Sequence, residues 1–414
     1  MNLDINGGGA MKYDFESIMD RRGMDAIAVD SLGSGNTSFV PGKPDEGFDV
    51  IPMWVADMNF PACPAIPQAM IRRVNHPAYG YFDIRKEYYD EIIRWHEIRN
   101  GVFGLTQECI GYENGVLGGV ISALNVLCSK GDSILVHSPT YIGFTGTLRN
   151  NGYNIVLSPL RKDENGLIRM DMEDMEKKLR ENNIHAVLFC SPHNPCGRVW
   201  SREEIFRLTE LCRKYDAYII SDEIWADLTL FGNKHTPTQS VSEDAKNRTV
   251  ALYAPSKTFN LAGLVGSYHI IYNSWLRERV RKESSLCHYN NINLLSMYAL
   301  IGAYSPEGYA WLDELLSVLS QNIDYACSFI GESFPDLEAV KPEGTYMLFV
   351  DCSKYCSRTG RTLDDVLAAA WRVGVAVQDG RPFHGKCHIR MNFAIPFSRV
   401  KEALDRLKKY VFIV

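Results

Sequence analysis

Lys257 sits in the run Ala254-Pro255-Ser256-Lys257-Thr258-Phe259-Asn260-Leu261-Ala262-Gly263, directly after the apolar, β-like stretch Thr249 to Ala254. An amine held at a strand end among small and hydroxyl residues suits Schiff-base chemistry on a carbonyl. Most lysines are solvated surface charges, so the neighbouring segments have to decide between the two readings. Asp222 closes Tyr218-Ile219-Ile220-Ser221-Asp222. A carboxylate there can keep a pyridine nitrogen protonated, or it can cap a helix. Asn194 lies in Ser191-Pro192-His193-Asn194-Pro195-Cys196-Gly197, after a run ending at Cys190. Its amide can donate to a phenolate oxygen, although Asn-Pro followed by Gly is also a turn signal. Tyr141 follows Ser138-Pro139-Thr140 and can lie flat on an aromatic ring, a stack worth about 0.5–1.5 kcal/mol, or serve as an ordinary core tyrosine.

Two further segments complete the set. Gly111 to Gly119 leads into a helical pattern, and the free N–H groups of Gly115 and Val116 at a helix start can bind phosphate. Ser256 can add a hydroxyl to the same phosphate. Arg390, in His388-Ile389-Arg390-Met391-Asn392-Phe393, offers a fork of donors for a carboxylate. Its type alone fits a solvent-facing strand arginine equally well. Lysine, carboxylate, amide, aromatic ring and phosphate turn together point to pyridoxal 5′-phosphate (PLP), which joins a lysine as an imine and acts as an electron sink.

The elements that must position these residues alternate along the middle of the chain. Apolar runs at 133–137, 186–190, 218–221, 249–254 and 266–272 predict strands, with helices predicted at 115–129, 171–182 and 201–215. Ser201-Arg202-Glu203-Glu204 is a capping box for the third helix. Strands alternating with helices predict an α/β fold, a mostly parallel central sheet flanked by helices. Ligands gather at the carboxyl ends of such strands. The remainder predicts a smaller α+β domain: a long helix near 307–333, strands near 345–351, 374–378 and 388–393, and a helix at 362–373. The expected division is an N-terminal segment 1–60 joining the small domain, a large PLP-binding domain 61–300 and a small domain 301–414.

Composition excludes several classes of function. The 414 residues are 46% hydrophobic and 23% charged, with a formal net charge of −6. That is the make-up of an ordinary globular enzyme, and it lacks the basic footprint of a nucleic-acid or polybasic membrane binder. The longest apolar run, Leu294 to Tyr304, is interrupted by Ser296 and Gly302 and is too short to span a bilayer. Eleven scattered cysteines without repeating spacing suggest free thiols in a reducing cytoplasm. His384, Cys387 and His388 lack a second ligand pair, so no metal is expected. Met1 to Met11 is polar and glycine-rich, without the regions of a secretory signal, and reads as a loose tail.

Met53-Trp54-Val55-Ala56-Asp57-Met58-Asn59-Phe60-Pro61, His76-Pro77-Ala78-Tyr79-Gly80-Tyr81 and Ser256 to Gly263 resemble the fold-type I PLP enzymes, the aspartate aminotransferase superfamily. Within it they resemble the MalY/PatB branch of cystathionine β-lyases, over essentially residues 12–412. The resemblance implies Lys257 as the imine lysine, Asp222 as the pyridinium partner, Asn194 as the phenolate donor and Tyr141 as the stacked ring. It implies Arg390 for the substrate carboxylate, with Asn194 and the Ala56 strip lining that pocket. It also implies a homodimer in which Tyr81 reaches the neighbouring active site. Three positions depart from the wider superfamily: Val265 replaces a phosphate-contacting arginine, Trp225 a tyrosine and Ala254 a serine. The implied activity is carbon–sulfur β-elimination from L-cystathionine or other cysteine S-conjugates. Aminotransfer to a 2-oxo acid is the alternative, since the same residues serve both, and a regulatory or binding role on the same fold is a third.

Overall fold

The computed structural model describes residues 11–34, 39–286 and 290–413. The tail read at residues 1–10 lies outside the described residues. Fourteen strands occur among the described residues, in two main sheets and a small ribbon. In chain order they are β1 (Ile51–Met53), β2 (Ile110–Glu113), β3 (Ser133–Ser138), β4 (Asn154–Pro159), β5 (Arg161–Lys162), β6 (Ile168–Arg169), β7 (Ala186–Cys190), β8 (Tyr218–Asp222), β9 (Thr249–Tyr253), β10 (Ser267–Ile270), β11 (Glu338–Ala339), β12 (Met347–Asp351), β13 (Val375–Asp379) and β14 (His388–Asn392). The large sheet has the order β2-β10-β9-β8-β7-β3-β4. Its pairs are parallel from β9 through β8, β7 and β3 to β4, and β10 alone runs antiparallel to its neighbours.

Period-2 alternation assigns each side of this sheet to its own core. Ile134, Val136, Leu188, Ile220, Val250 and Leu252 pack with the helices Val116–Leu127 and Ile142–Asn150. Leu135, Val187, Phe189 and Ile219 pack on the other side with the helices Met172–Glu181 and Arg202–Lys214. Burying both faces explains why these strands read as continuous apolar runs. The predicted capping box forms as expected: the Ser201 hydroxyl accepts the Glu204 N–H, and the Glu204 carboxylate accepts the Ser201 N–H.

The second sheet has the order β1-β13-β14-β12-β11. β1 from the start of the chain lies parallel to β13, and the remaining pairs are antiparallel. The helix Pro306–Ser333 contributes Leu312, Leu315, Leu319, Ile323, Ala326 and Ile330 to the core shared with this sheet. Their spacings of three and four are an apolar stripe of helical period. No helix among the described residues is long and apolar enough to cross a membrane.

Candidate active site

Strand direction brings the predicted residues together. Glu113, Ser138, Cys190, Asp222 and Tyr253 are the last residues of β2, β3, β7, β8 and β9. The turns that follow carry Gly115, Tyr141, Asn194 and Lys257 to one edge of the large sheet. The small sheet supplies Arg390 from the middle of β14, and the turn after β1 supplies Trp54 to Ala56. All of these, with Val116, Asp222 and Ser256, line one cavity of about 550 Å³. Tyr81 does not line it and is fully exposed.

Lys257 keeps part of its surface open to the cavity while its ammonium sits deep among protein atoms. Nζ donates to the Ala56 carbonyl at 2.9 Å and lies 5.7 Å from the centre of the Trp225 ring. Burial, helped by the Arg390 charge and opposed by Asp57 and Asp222, draws its pKa down to about 8. Asp222 is 4% exposed, and Oδ1 accepts the Ile224 N–H at 3.0 Å. Burial pushes its carboxyl up to about 7, against that hydrogen bond and the pull of Lys257. It forms no ion pair at contact distance with any described residue, so its charge waits for a cation from elsewhere.

Arg390 presents the complementary situation. It is 3% exposed and has no carboxylate partner among the described residues. Nη2 donates to the Trp54 carbonyl at 3.0 Å, Nη1 to Asn194 Oδ1 at 3.3 Å, and the guanidinium lies 4.2 Å from the centre of the Phe383 ring. Its Nε has no hydrogen-bond partner among the described residues. Burial draws even this group down to about 10. A buried cation without a counter-ion is costly, and an anionic ligand removes the cost. Because Arg390 fixes the oxygen of the Asn194 amide, the other end of that amide remains to donate.

Tyr141 precedes the helix Ile142–Asn150 at its N-cap position without a side-chain capping bond, and burial raises its phenol. A Cβ on Gly143 would fall 2.3 Å from its ring, so glycine there makes room for the tyrosine. Gly115 has φ +77°, a conformation that favours glycine, and its N–H is spent on the Glu113 carbonyl at 2.9 Å. The N–H groups of Val116 and Leu117 in the first helical turn therefore remain for an anion. The Ser256 hydroxyl reaches the Gly266 carbonyl only at 3.5 Å. Carboxylate, amide donor, ring face, amine and open helix start are chemically matched to PLP.

Sequence reasoning missed the residues that brace this site. The Tyr346 hydroxyl donates to the Ala56 carbonyl at 3.0 Å, and the Tyr346 ring packs edge-on to Trp225. Asn392 Nδ2 holds the carbonyls of Val55 and Asp57 at 2.7 and 2.5 Å. The Asn260 side chain exchanges two hydrogen bonds with the Met58 backbone. Asn392 was findable, because it lies two residues after Arg390 on a strand and so shares its face. Nothing local to Tyr346 marks it.

Residues 49–407 match the family described as aminotransferase class I and II. The chain is 33% identical to cystathionine beta-lyase PatB of Bacillus subtilis (strain 168), covering 87% of this chain and 92% of that protein. It is 27% identical to protein MalY of Escherichia coli (strain K12), covering 95% and 98%. Its fold superposes on the PLP-bound C-S lyase from Staphylococcus hominis with a TM-score of 0.85 and 32% identity, covering 96% of this chain and 98% of that one. The chain belongs to the aminotransferase class I and II family, within the branch that holds PatB and MalY.

Proposed function

We propose that this protein is a PLP-dependent carbon–sulfur β-lyase. It cleaves L-cystathionine or related cysteine S-conjugates, with water, to a thiol, pyruvate and ammonia. The observation that carries this reading is the single cavity joining the depressed amine of Lys257, the unpaired carboxylate of Asp222 and the unpaired cation of Arg390. The lyase activities named for its relatives favour elimination over aminotransfer, which the same residues could also serve.

When bound, the cofactor supplies an electron sink for charge released at the substrate α-carbon. Asp222 would hold the proton on its ring nitrogen, Asn194 would donate to its phenolate oxygen, and Tyr141 would cover one ring face. Val116, with Gly115 and Ser256 beside it, would cradle the phosphate. Arg390 would bind the substrate carboxylate, flanked by Asn194 and the Ala56 strip, and so fix the α-carbon near Lys257. A Lys257 amine titrating near 8 is neutral in a useful fraction at neutral pH. Its Nζ can take the α-proton and return it to the departing sulfur, with the Ala56 carbonyl holding it in register.

The working unit is proposed to be a homodimer in which Tyr81 of one copy completes the site of the other. Its full exposure in the single chain fits that role. The division into segment 1–60, large domain 61–300 and small domain 301–414 belongs to the same proposal, as does a cytoplasmic location.

The test is pyruvate and thiol release from L-cystathionine by PLP-loaded protein, followed by Lys257→Ala. One pyruvate per homocysteine, abolished in the variant, is the expected result. Sustained amino transfer to a 2-oxo acid without thiol release would replace this function with aminotransfer, and near-normal turnover by Lys257→Ala would remove Lys257 from it.

A further inference from the structure

Beside the turn that presents Val116 and Leu117 lies a buried polar cluster that the reaction does not use. Glu113, the last residue of β2, is fully buried. Its Oε1 lies 2.7 Å from Nδ1 of His269, which is buried on the neighbouring strand β10. Its Oε2 accepts from Asn290 Nδ2 at 2.7 Å and from Ser122 Oγ at 3.1 Å. A carboxylate removed from water needs donors of this kind on both oxygens. Two glycines make room for the cluster. A Cβ on Gly111 would fall 2.3 Å from the His269 ring. One on Gly119 would lie 3.1 Å from Glu113 Cγ and 2.6 Å from Leu252.

The cluster grips the turn through its backbone. Asn290 Oδ1 accepts the Asn114 N–H at 2.6 Å, and Asn290 Nδ2 also donates to the Tyr112 carbonyl at 3.0 Å. The Glu113 carbonyl accepts from Ser267 Oγ at 2.7 Å and from the Gly115 N–H at 2.9 Å. Residues 112–115 aim the free N–H groups that follow, and their position depends on which way the Asn290 amide points. The Glu113 carboxylate fixes that direction together with the Tyr112 carbonyl, because both accept only from the nitrogen end and leave the oxygen end for Asn114. Through Ser122 the same carboxylate holds the helix Val116–Leu127.

We propose that Glu113, acting with His269 and Asn290, is the positioning residue of the phosphate-binding turn and sets how tightly PLP is retained. The proposal rests on the reading of the cavity as the PLP site. In Glu113→Gln an NH2 replaces one acceptor oxygen; turned toward Asn290 and Ser122, it removes their shared acceptor and leaves the Tyr112 carbonyl as the remaining acceptor for the Asn290 amide nitrogen. Titration of apoprotein with PLP, followed by absorbance, is expected to give a Kd at least about tenfold higher for Glu113→Gln and for Asn290→Ala. At saturating PLP, kcat should stay within about twofold of the parent. The double variant should be no weaker than the weaker single one, since both break one linkage. Unchanged PLP affinity in both variants, even with a lower melting temperature of the apoprotein, would reduce the cluster to packing and overturn the proposal. So would a large fall in kcat at saturating PLP with affinity retained. Asn290→Ala removes a less buried side chain and keeps the test open if Glu113→Gln fails to fold. Parent protein that binds no PLP would overturn the reading of the site and this proposal with it.

Discussion

Replacing Asp222 with asparagine should stabilise the apoprotein at neutral pH while destroying its activity. The side chain is buried, has no contacting cation among the described residues and accepts one backbone hydrogen bond, from the Ile224 N–H. Its pKa rises from the ordinary 3.8 to about 7 on folding. A folded-state pKa above the unfolded one means that the folded protein binds the extra proton. The contribution of this group is therefore full below about pH 4, declines as pH rises, and is lost above about pH 7. At 1.36 kcal/mol per pH unit, the loss across that window is about 4 kcal/mol. Asparagine keeps the oxygen that accepts from Ile224 and cannot ionise. Lys257, with a folded pKa of about 8, stays protonated in both states through most of this window and adds little slope below pH 7. Urea unfolding of both apoproteins at several pH values should show equal stability near pH 4 and a gap in favour of Asp222→Asn that widens up to pH 7 and then levels. The PLP-loaded variant should lose pyruvate formation, because a neutral amide cannot keep the ring nitrogen protonated. A stability gap that does not change with pH, or a variant less stable than the parent at pH 8, would refute the reasoning.

Two other substitutions test separate parts of the structure. Arg390→Lys keeps the charge but cannot hold the Trp54 carbonyl and the Asn194 amide while presenting a fork to a carboxylate. Loss of one charge-assisted bond, about 1.5–3 kcal/mol, should raise KM for a cysteine S-conjugate roughly 10- to 100-fold. A KM near that of the parent would place the carboxylate elsewhere. Val265 has φ +46°, a conformation that costs a β-branched residue about 1–3 kcal/mol. It is held there between the Tyr112 hydroxyl on its carbonyl and Ser296 on the preceding one. Val265→Gly relieves that strain and forfeits roughly 0.5–1 kcal/mol of chain entropy. The expected net gain of about 1 kcal/mol would be read from the urea midpoint, and a loss of stability would contradict it.

The alternating strands and helices of the large sheet were legible because their signals are local. Continuous apolar runs marked strands buried on both faces, and Ser201 with Glu204 marked a helix start. Asp222, Asn194, Tyr141 and Lys257 stood out because each falls at or just after the end of such a run. The helix Lys86–Asn100 was passed over although Tyr88, Ile92 and Trp95 carry its buried stripe at spacings of four and three. The strand β10 looks like its neighbours in sequence, and only pairing with β9 and β2 sets its antiparallel direction.

What the sequence determined by itself was a set of reactive residue types at strand ends, since periodicity and turn chemistry are properties of neighbours along the chain. Tertiary structure alone decided what those groups have become. Arg390 is a buried cation without a counter-ion among the described residues, held between Trp54 beside one sheet and Asn194 beside the other. Lys257 and Asp222 are shifted toward neutrality because water is excluded around both. Ala56 is the acceptor for Lys257 across 201 residues of chain, and Tyr346 shares that carbonyl. Burial and charge pairing depend on long-range packing, and no local pattern encodes them.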